Sequence, residues 1–245
     1  PKNRFLADPF CIDYNSRKIV FVEDFNYSEN RGKISAFEVT QKGYKELGEA
    51  IKEEFHLSYP YVFKNNNEIY MVPETHEAND IRIYKCEQFP LKWKVHQILM
   101  KNICAVDTNI FKYNNKYWLF TNLDSSYSND YSSELHIFHS DNLNSTSWTP
   151  HKLNPVIFDS TKARNGGKIF SENNEIYRVF QKQDFNIYGA SVGIAKIQCL
   201  TENKYEEQVI TNIQPNFFKE IIGTHSLSFD TGLLVNDFAK YEKIS

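Results

Sequence analysis

The sequence predicts an all-β chain folded as a five-bladed β-propeller. Three observations carry this reading: one strand-turn-strand unit recurs five times, its copies start 48 to 59 residues apart, and helical periodicity is weak throughout. The first copy runs from Asp8 through Phe10-Cys11-Ile12, across a polar turn, and returns as Ile19-Val20-Phe21-Val22-Glu23. The second opens at Tyr59-Pro60-Tyr61-Val62-Phe63 and returns as Ile69 to Glu74, the third joins Asp107–Phe111 to Tyr117–Asn122, and the fourth joins Gly166–Phe170 to Ile176–Gln181. In these four copies the last residue lies fifteen after the first. A fifth copy, His225–Phe229 and Leu233–Asn236, has a shorter hairpin.

Starts near 8, 59, 107, 166 and 225 give a period a little above the roughly 40 to 50 residues of common propeller blades. Ile34–Val39, Ile81–Lys85, Leu135–Phe138 and Val192–Ile197 supply further strands between the hairpins. Tyr44–Phe55 could pass for a short helix, but an outer strand fits the repeat better. Trp93 and Trp148 each close a polar turn between hairpins, where packing between neighbouring blades is expected before sugar stacking. Residues 1–245 are expected to form a single propeller domain, a size that one all-β unit can fill.

Composition narrows the function classes. Lys plus Arg is 28 and Asp plus Glu 31, a net charge of −3 with no basic run to track a phosphate backbone, so nucleic acid is excluded as a partner. The 15 Tyr and 19 Phe suit strands rather than disorder. No apolar run reaches the roughly 18 residues of a membrane span, and the start has no signal-peptide core. The four cysteines, Cys11, Cys86, Cys104 and Cys199, are widely spaced and read as buried thiols of a reducing compartment, which gives a cytoplasmic expectation.

A blade's first strand lines the central channel and its second runs back antiparallel, so the start of one and the end of the other meet at one mouth. Two rings follow: Asp8, Tyr59, Asp107, Gly166 and His225; then Glu23, Glu74, Asn122 and Gln181. Burying several uncompensated carboxylates is costly, so the acidic ring positions point to a wet, ligand-facing mouth. Clustered carboxylates also raise one another's proton affinity, as acid-base chemistry requires. The alternative is that they cap strand ends or pair with Arg164 and Arg178 to hold blades together. His225 is expected to donate to a carboxylate of blade one rather than bind a metal, since no second His shares its ring.

Leu6-Ala7-Asp8-Pro9 and Val106-Asp107-Thr108, with the blade count, resemble the five-bladed propeller glycosidases, especially glycoside hydrolase family 43. That resemblance implies a base at Asp8 and an orienting carboxylate at Asp107. Where the family has an acidic Glu in blade four, this chain has Ala163-Arg164-Asn165-Gly166-Gly167, so hydrolysis lacks its acid unless Glu74 replaces it. The order Ala7-Asp8-Pro9-Phe10, His56-Leu57-Ser58-Tyr59-Pro60, Val72-Pro73-Glu74-Thr75, Phe89-Pro90, Trp93, Trp148, His151, Asn154-Pro155, Ala163-Arg164, Gln181, Tyr188-Gly189 and Gly223-Thr224-His225 resembles, over nearly the whole chain, the N-terminal propeller of glucosamine inositolphosphorylceramide transferases. Similar domains occur in bacterial formyltransferase-like proteins.

The resemblance implies work on a glycan, glycolipid or phosphosugar, with a linked or separate transferase domain as partner. As a catalytic domain, the chain would use Asp8, Asp107 and Glu74, with Arg164 gripping an anion. As a glycan-binding module, it would bind by carboxylates and amides with Tyr59 or Tyr188 as stacking face; Gln181, His225, Glu23 and Asn122 complete the candidate binding residues. A propeller glycosidase is the third reading. No cofactor is expected, and calcium in the channel stays open.

Overall fold

Two-residue turns set the pattern of the chain. Asn15-Ser16, Asn66-Asn67, Asn114-Asn115, Asn173-Asn174 and Thr231-Gly232 hold positive φ at both residues, the backbone that lets a tight hairpin follow the twist of its strands. Asparagine dominates because its short polar side chain tolerates that left-handed conformation. Each turn closes the inner hairpin of one copy of the repeat.

The computed structural model describes residues 3–184 and 187–240. Sheet one runs β1 (Arg4–Tyr14), β2 (Arg17–Asn26), β3 (Arg31–Thr40) and β4 (Gly43–Ile51), each antiparallel to the last. Sheet two repeats this with β5 (Ser58–Asn65), β6 (Glu68–Glu74), β7 (Asp80–Gln88) and β8 (Lys92–Lys101). In sheet three, β9 (Val106–Tyr113), β10 (Lys116–Asn122) and β11 (Glu134–Ser140) are followed by two short strands, β12 (Thr149–Pro150) and β13 (Ile157–Phe158), both paired to β11. Sheet four is β14 (Phe170–Glu172), β15 (Glu175–Asp184), β16 (Ile187–Leu200) and β17 (Tyr205–Ile213). The fifth copy holds two small pairs: β18 (Ile221–Gly223) with β21 (Ala239–Lys240), and β19 (Leu227–Asp230) with β20 (Leu233–Asn236).

The sheets pack face to face as an all-β propeller. Phe10, Phe21, Tyr59, Tyr61, Met71, Ile110 and Leu119 join sheets one to three in one buried core, and Trp118, Phe120, Ile137, Ile169 and Ile176 join three to four. The β19–β20 hairpin lies between sheets four and one. Leu227 packs on Val179 and Val192, while Leu233 and Val235 cover Cys11, Val20 and Phe37. Backbone bonds reinforce it: Leu227 donates to the Gly166 carbonyl at 2.8 Å, and the Cys11 amide donates to Ser228 Oγ at 3.1 Å. A Cβ on Gly167, at φ +152°, would stand 1.8 Å from the Leu227 carbonyl oxygen. The approach of that hairpin therefore leaves no room for a side chain at Gly167.

Tyr44 lies on an outer strand as expected. Trp148 is buried and Trp93 stacks edge-on to Phe21 of sheet one at 5.6 Å, so both indoles pack between sheets. The cysteine expectation needs correcting: Cys11 is buried, but Cys86 and Cys199 are half-buried and Cys104 is exposed. Cys104 sits in the loop between β8 and β9, its Sγ directed at Asn79 Oδ1 at 3.1 Å. Among the described residues, no helix is long and apolar enough to cross a membrane.

Candidate functional site at the funnel mouth

Bulges aim the first ring. The pairing of β1 with β2, β5 with β6 and β9 with β10 shifts register at Asp8, Tyr59 and Asp107, all three held at φ between 45° and 52°. A bulge bends the strand and redirects the side chain at its centre. The same device recurs in three blades, and in two of them it presents a carboxyl, Asp8 or Asp107, at one end of the channel.

There a cavity of about 1380 Å³ opens, lined by Asp8, Glu23, Glu74, Asp107, Arg164, Tyr188, His225 and Asp237 with His56, and rimmed by the apolar Phe5, Leu6, Tyr27 and Phe238. His225 lies between two carboxylates, Nε2 at 3.2 Å from Asp8 and Nδ1 at 3.0 Å from Asp237. Burial opposes its charge, but Asp237 and Asp8 outweigh it and hold the imidazole well above its ordinary range. Asp237 is pinned in turn by the backbone amides of Asp8, His225 and Ser226 at 3.0 to 3.2 Å. Its carboxyl stays below the usual range despite burial, because His225 and these amides favour the anion.

On the other wall, Arg164 Nε donates to Asp107 Oδ2 at 2.6 Å and its guanidinium lies 5.1 Å from the Tyr188 ring centre. Its terminal Nη groups make no hydrogen bond among the described residues, and they remain available to an anion. Burial, with Asp8 adding to it, holds the Asp107 carboxyl above its ordinary range against the pull of Arg164. Burial, then Asp107, pushes Glu74 up to about 8, with Arg164 pulling the other way. Burial, then Asp8 and Glu74, also lifts Glu23 well above the carboxylate range. At neutral pH the mouth thus holds carboxyls of both kinds, some retaining a proton and some ionised against a cation.

Seven of the residues picked from the sequence meet here: Asp8, Glu23, Glu74, Asp107, Arg164, Tyr188 and His225. Three do not. Tyr59 is buried against Phe10, its hydroxyl donating to the Gly167 carbonyl at 3.0 Å and accepting from the Gly167 amide and Asn109, so it offers no stacking face. Asn122 is fully buried; it donates to the Glu134 and Ala163 carbonyls and accepts from the Asn165 amide, stitching the loop before sheet four. Gln181 is buried away from the cavity, with its backbone amide on the Arg164 carbonyl. Arg178, a possible partner for ring carboxylates, instead pairs with Glu207 at 2.7 Å.

Asp237 and His56 are among the lining residues that carried no site assignment from sequence. The fifth hairpin is shorter than the other four, so counting fifteen residues from His225 overshoots; following the β19–β20 ladder one step past Asn236 finds Asp237. His56 sits in the link between sheets, outside the repeat. Asp8, His225 and Asp237 offer ligand atoms within 4.8 Å of one another and could hold a cation. Doing so would require neutral imidazole, against the double carboxylate pairing that favours its charge.

An acidic funnel on an all-β propeller defines the class of protein, and comparison places it more closely. The chain belongs to the family described as glucosamine inositolphosphorylceramide transferase 1, N-terminal, whose model matches residues 1–220. It is 36% identical over 211 residues to glucosamine inositolphosphorylceramide transferase 1 of Arabidopsis thaliana, covering 84% of this chain and 27% of that protein. The Oryza sativa subsp. japonica relative is 35% identical over 211 residues, with 84% and 28% covered. The chain thus spans about a quarter of the length of these curated relatives. In fold it is similar to an alpha-L-arabinofuranosidase from Lactobacillus brevis, with TM-score 0.69 and 12% identity over 100% of this chain and 87% of that one. It is also similar to a family 117 glycoside hydrolase of Zobellia galactanivorans, with TM-score 0.63 and 11% identity over 86% and 70%.

Proposed function

We propose that this mouth is a carbohydrate-active site for a sugar joined to an anionic or lipid group, performing glycosyl or related group transfer in glycan or glycolipid synthesis. Glu74 is the proton donor, Asp8 the base, Asp107 the orienting carboxylate and Arg164 the grip on the anion. The observation that carries this reading is the Glu74 carboxyl, held up at about 8 in the cavity that also holds the His225-paired Asp8. A carboxyl that keeps its proton at neutral pH, in one cavity with a second carboxyl paired to an imidazole, is what acid-base chemistry needs. Glu74 then gives its proton to the leaving oxygen as one C–O bond breaks, and Asp8 takes the proton of the hydroxyl that forms the new one. With water as acceptor the same residues would give hydrolysis.

In this proposal the β19–β20 hairpin, seated between sheets four and one, is a short fifth blade, and the chain a single propeller unit. A non-catalytic glycan-binding module, serving a linked or separate transferase domain, is the second reading. Asp8 and Asp107 already face His225 and Arg164, and either must loosen that contact before it can move a proton.

Titration with nucleotide sugars, sugar phosphates and oligosaccharides, with product analysis, separates these readings. Binding with turnover that Glu74→Gln and Asp8→Asn abolish supports the enzyme. Binding without product, unchanged by both substitutions, leaves the binding module. No binding by any compound removes the carbohydrate reading.

A further inference from the structure

His56 is set apart from the other lining residues by a fixed hydrogen position. Its Nδ1 accepts the Gly32 amide at 2.9 Å, so in the neutral ring the hydrogen is on Nε2. Nε2 stands 3.5 Å from Glu23 Oε1, and both residues line the cavity. That separation is too long for a good hydrogen bond between them. We infer that His56 Nε2–H and the Glu23 carboxyl form a donor-acceptor fork that grips one hydroxyl of the sugar, a subsite that rests on the carbohydrate reading above.

The surroundings hold the fork in place. Leu57 donates to the Gly32 carbonyl at 3.0 Å, the His56 amide donates to Glu77 at 2.8 Å, and the ring tilts against Phe25 at 5.8 Å. A Cβ on Gly32 would fall 2.7 Å from His56 Cε1 and 2.5 Å from the Leu57 carbonyl oxygen, so glycine is what lets the amide reach Nδ1. Burial keeps His56 below the ordinary imidazole range, with Glu77 and Asp8 pulling up and His76 pushing down. The donor is therefore present at neutral pH without protonation. Glu23, whose carboxyl burial lifts well above its ordinary range, offers an accepting oxygen whether or not it holds a proton.

The test uses the full chain. Calorimetric titration with glucose 1-phosphate, N-acetylglucosamine, UDP-glucose and cello-oligosaccharides identifies a binder, which is repeated as its singly deoxygenated analogues on wild type, His56→Ala and His56→Gln. Loss of one hydrogen bond corresponds to about tenfold in affinity. The expected pattern is a loss of that size in His56→Ala, partial recovery in His56→Gln, and one analogue that binds wild type and His56→Ala equally weakly. Nitrogen-15 imidazole spectra of ligand-free wild type should show the Nε2–H form at neutral pH, a readout independent of whether the variants fold. A binder unaffected by His56→Ala, or an Nδ1–H or charged ring, overturns the fork and leaves the carbohydrate reading standing. No binder at all overturns the carbohydrate reading itself.

Discussion

The same position does opposite work on the two sides of the funnel. Fifteen residues after the ring residue, sheets one and two carry Glu23 and Glu74, which face the cavity; sheets three and four carry Asn122 and Gln181, which are buried away from it. An amide can donate and accept at once, so Asn122 ties three backbone groups together without a charge. A carboxylate left there would need a cation. The cavity-facing carboxyls are consequently unevenly spread: Asp8, Glu23, Glu74 and Asp237 come from sheets one and two and the end of the fifth hairpin, while Asp107 stands on sheet three, held by Arg164 from the loop before sheet four.

The contrast can be broken hardest on the scaffold side. Arg178→Met leaves Glu207 buried without its cation, and removing one partner of a buried pair costs about 3–5 kcal/mol; urea unfolding should show that loss. Asn122→Ala removes the side-chain partner of the Asn165 amide and the Glu134 carbonyl, each costing about 1–3 kcal/mol if unpaired, and leaves the Ala163 carbonyl only its 3.4 Å bond from Arg178, so with water recovering part a net loss of about 2–4 kcal/mol is expected in the same assay. If either variant unfolds at the wild-type midpoint, sheet four does not depend on these contacts.

On the acidic side the expected sign reverses. Glu74 keeps its proton in the folded chain up to about 8, whereas the unfolded chain releases it near the ordinary glutamate value. Between those two pH values the folded state binds the extra proton, so wild-type stability falls as pH rises, by up to about 1.4 kcal/mol per unit for one proton. Glu74→Gln removes that slope and is expected to gain on wild type steadily from pH 5 to pH 8 in urea midpoints. Parallel curves would mean that Glu74 ionises normally, and its role as acid would fall.

This division also explains what sequence could show. The turn pairs and the strand pattern recur every 48 to 59 residues, so the propeller and the position of the mouth were legible. The charged ring residues do line the cavity, because a carboxylate without a partner is costly in an apolar core. Tyr59 was not, because a tyrosine at the same bulge can satisfy its hydroxyl on Gly167 and Asn109 and bury its ring on Phe10. Periodicity does not distinguish a side chain that turns outward from one that turns inward. Asp237 escaped because the fifth hairpin is shorter than the count of fifteen assumes, and His56 because the links between sheets follow no period.

Arg164 provides the finest test of how the two sides meet. Its guanidinium is held by Asp107 on one edge and lies over Tyr188, whose ring in turn tilts 5.5 Å from His225. Gly189 keeps that arrangement compact: at φ +64°, a Cβ there would stand 2.4 Å from His225 Cβ. Tyr188→Leu keeps apolar cover but removes the ring quadrupole, and a cation over an exposed aromatic contributes about 0.5–1 kcal/mol. The expected stability loss is of that order, the smallest of the four. Affinity for a sugar phosphate, measured by titration, should fall only a few-fold, since the bond to Asp107 still orients Arg164. A loss as large as that of Arg164→Met would instead make Tyr188 a direct contact of the ligand, and the site would extend from the acidic wall across to sheet four.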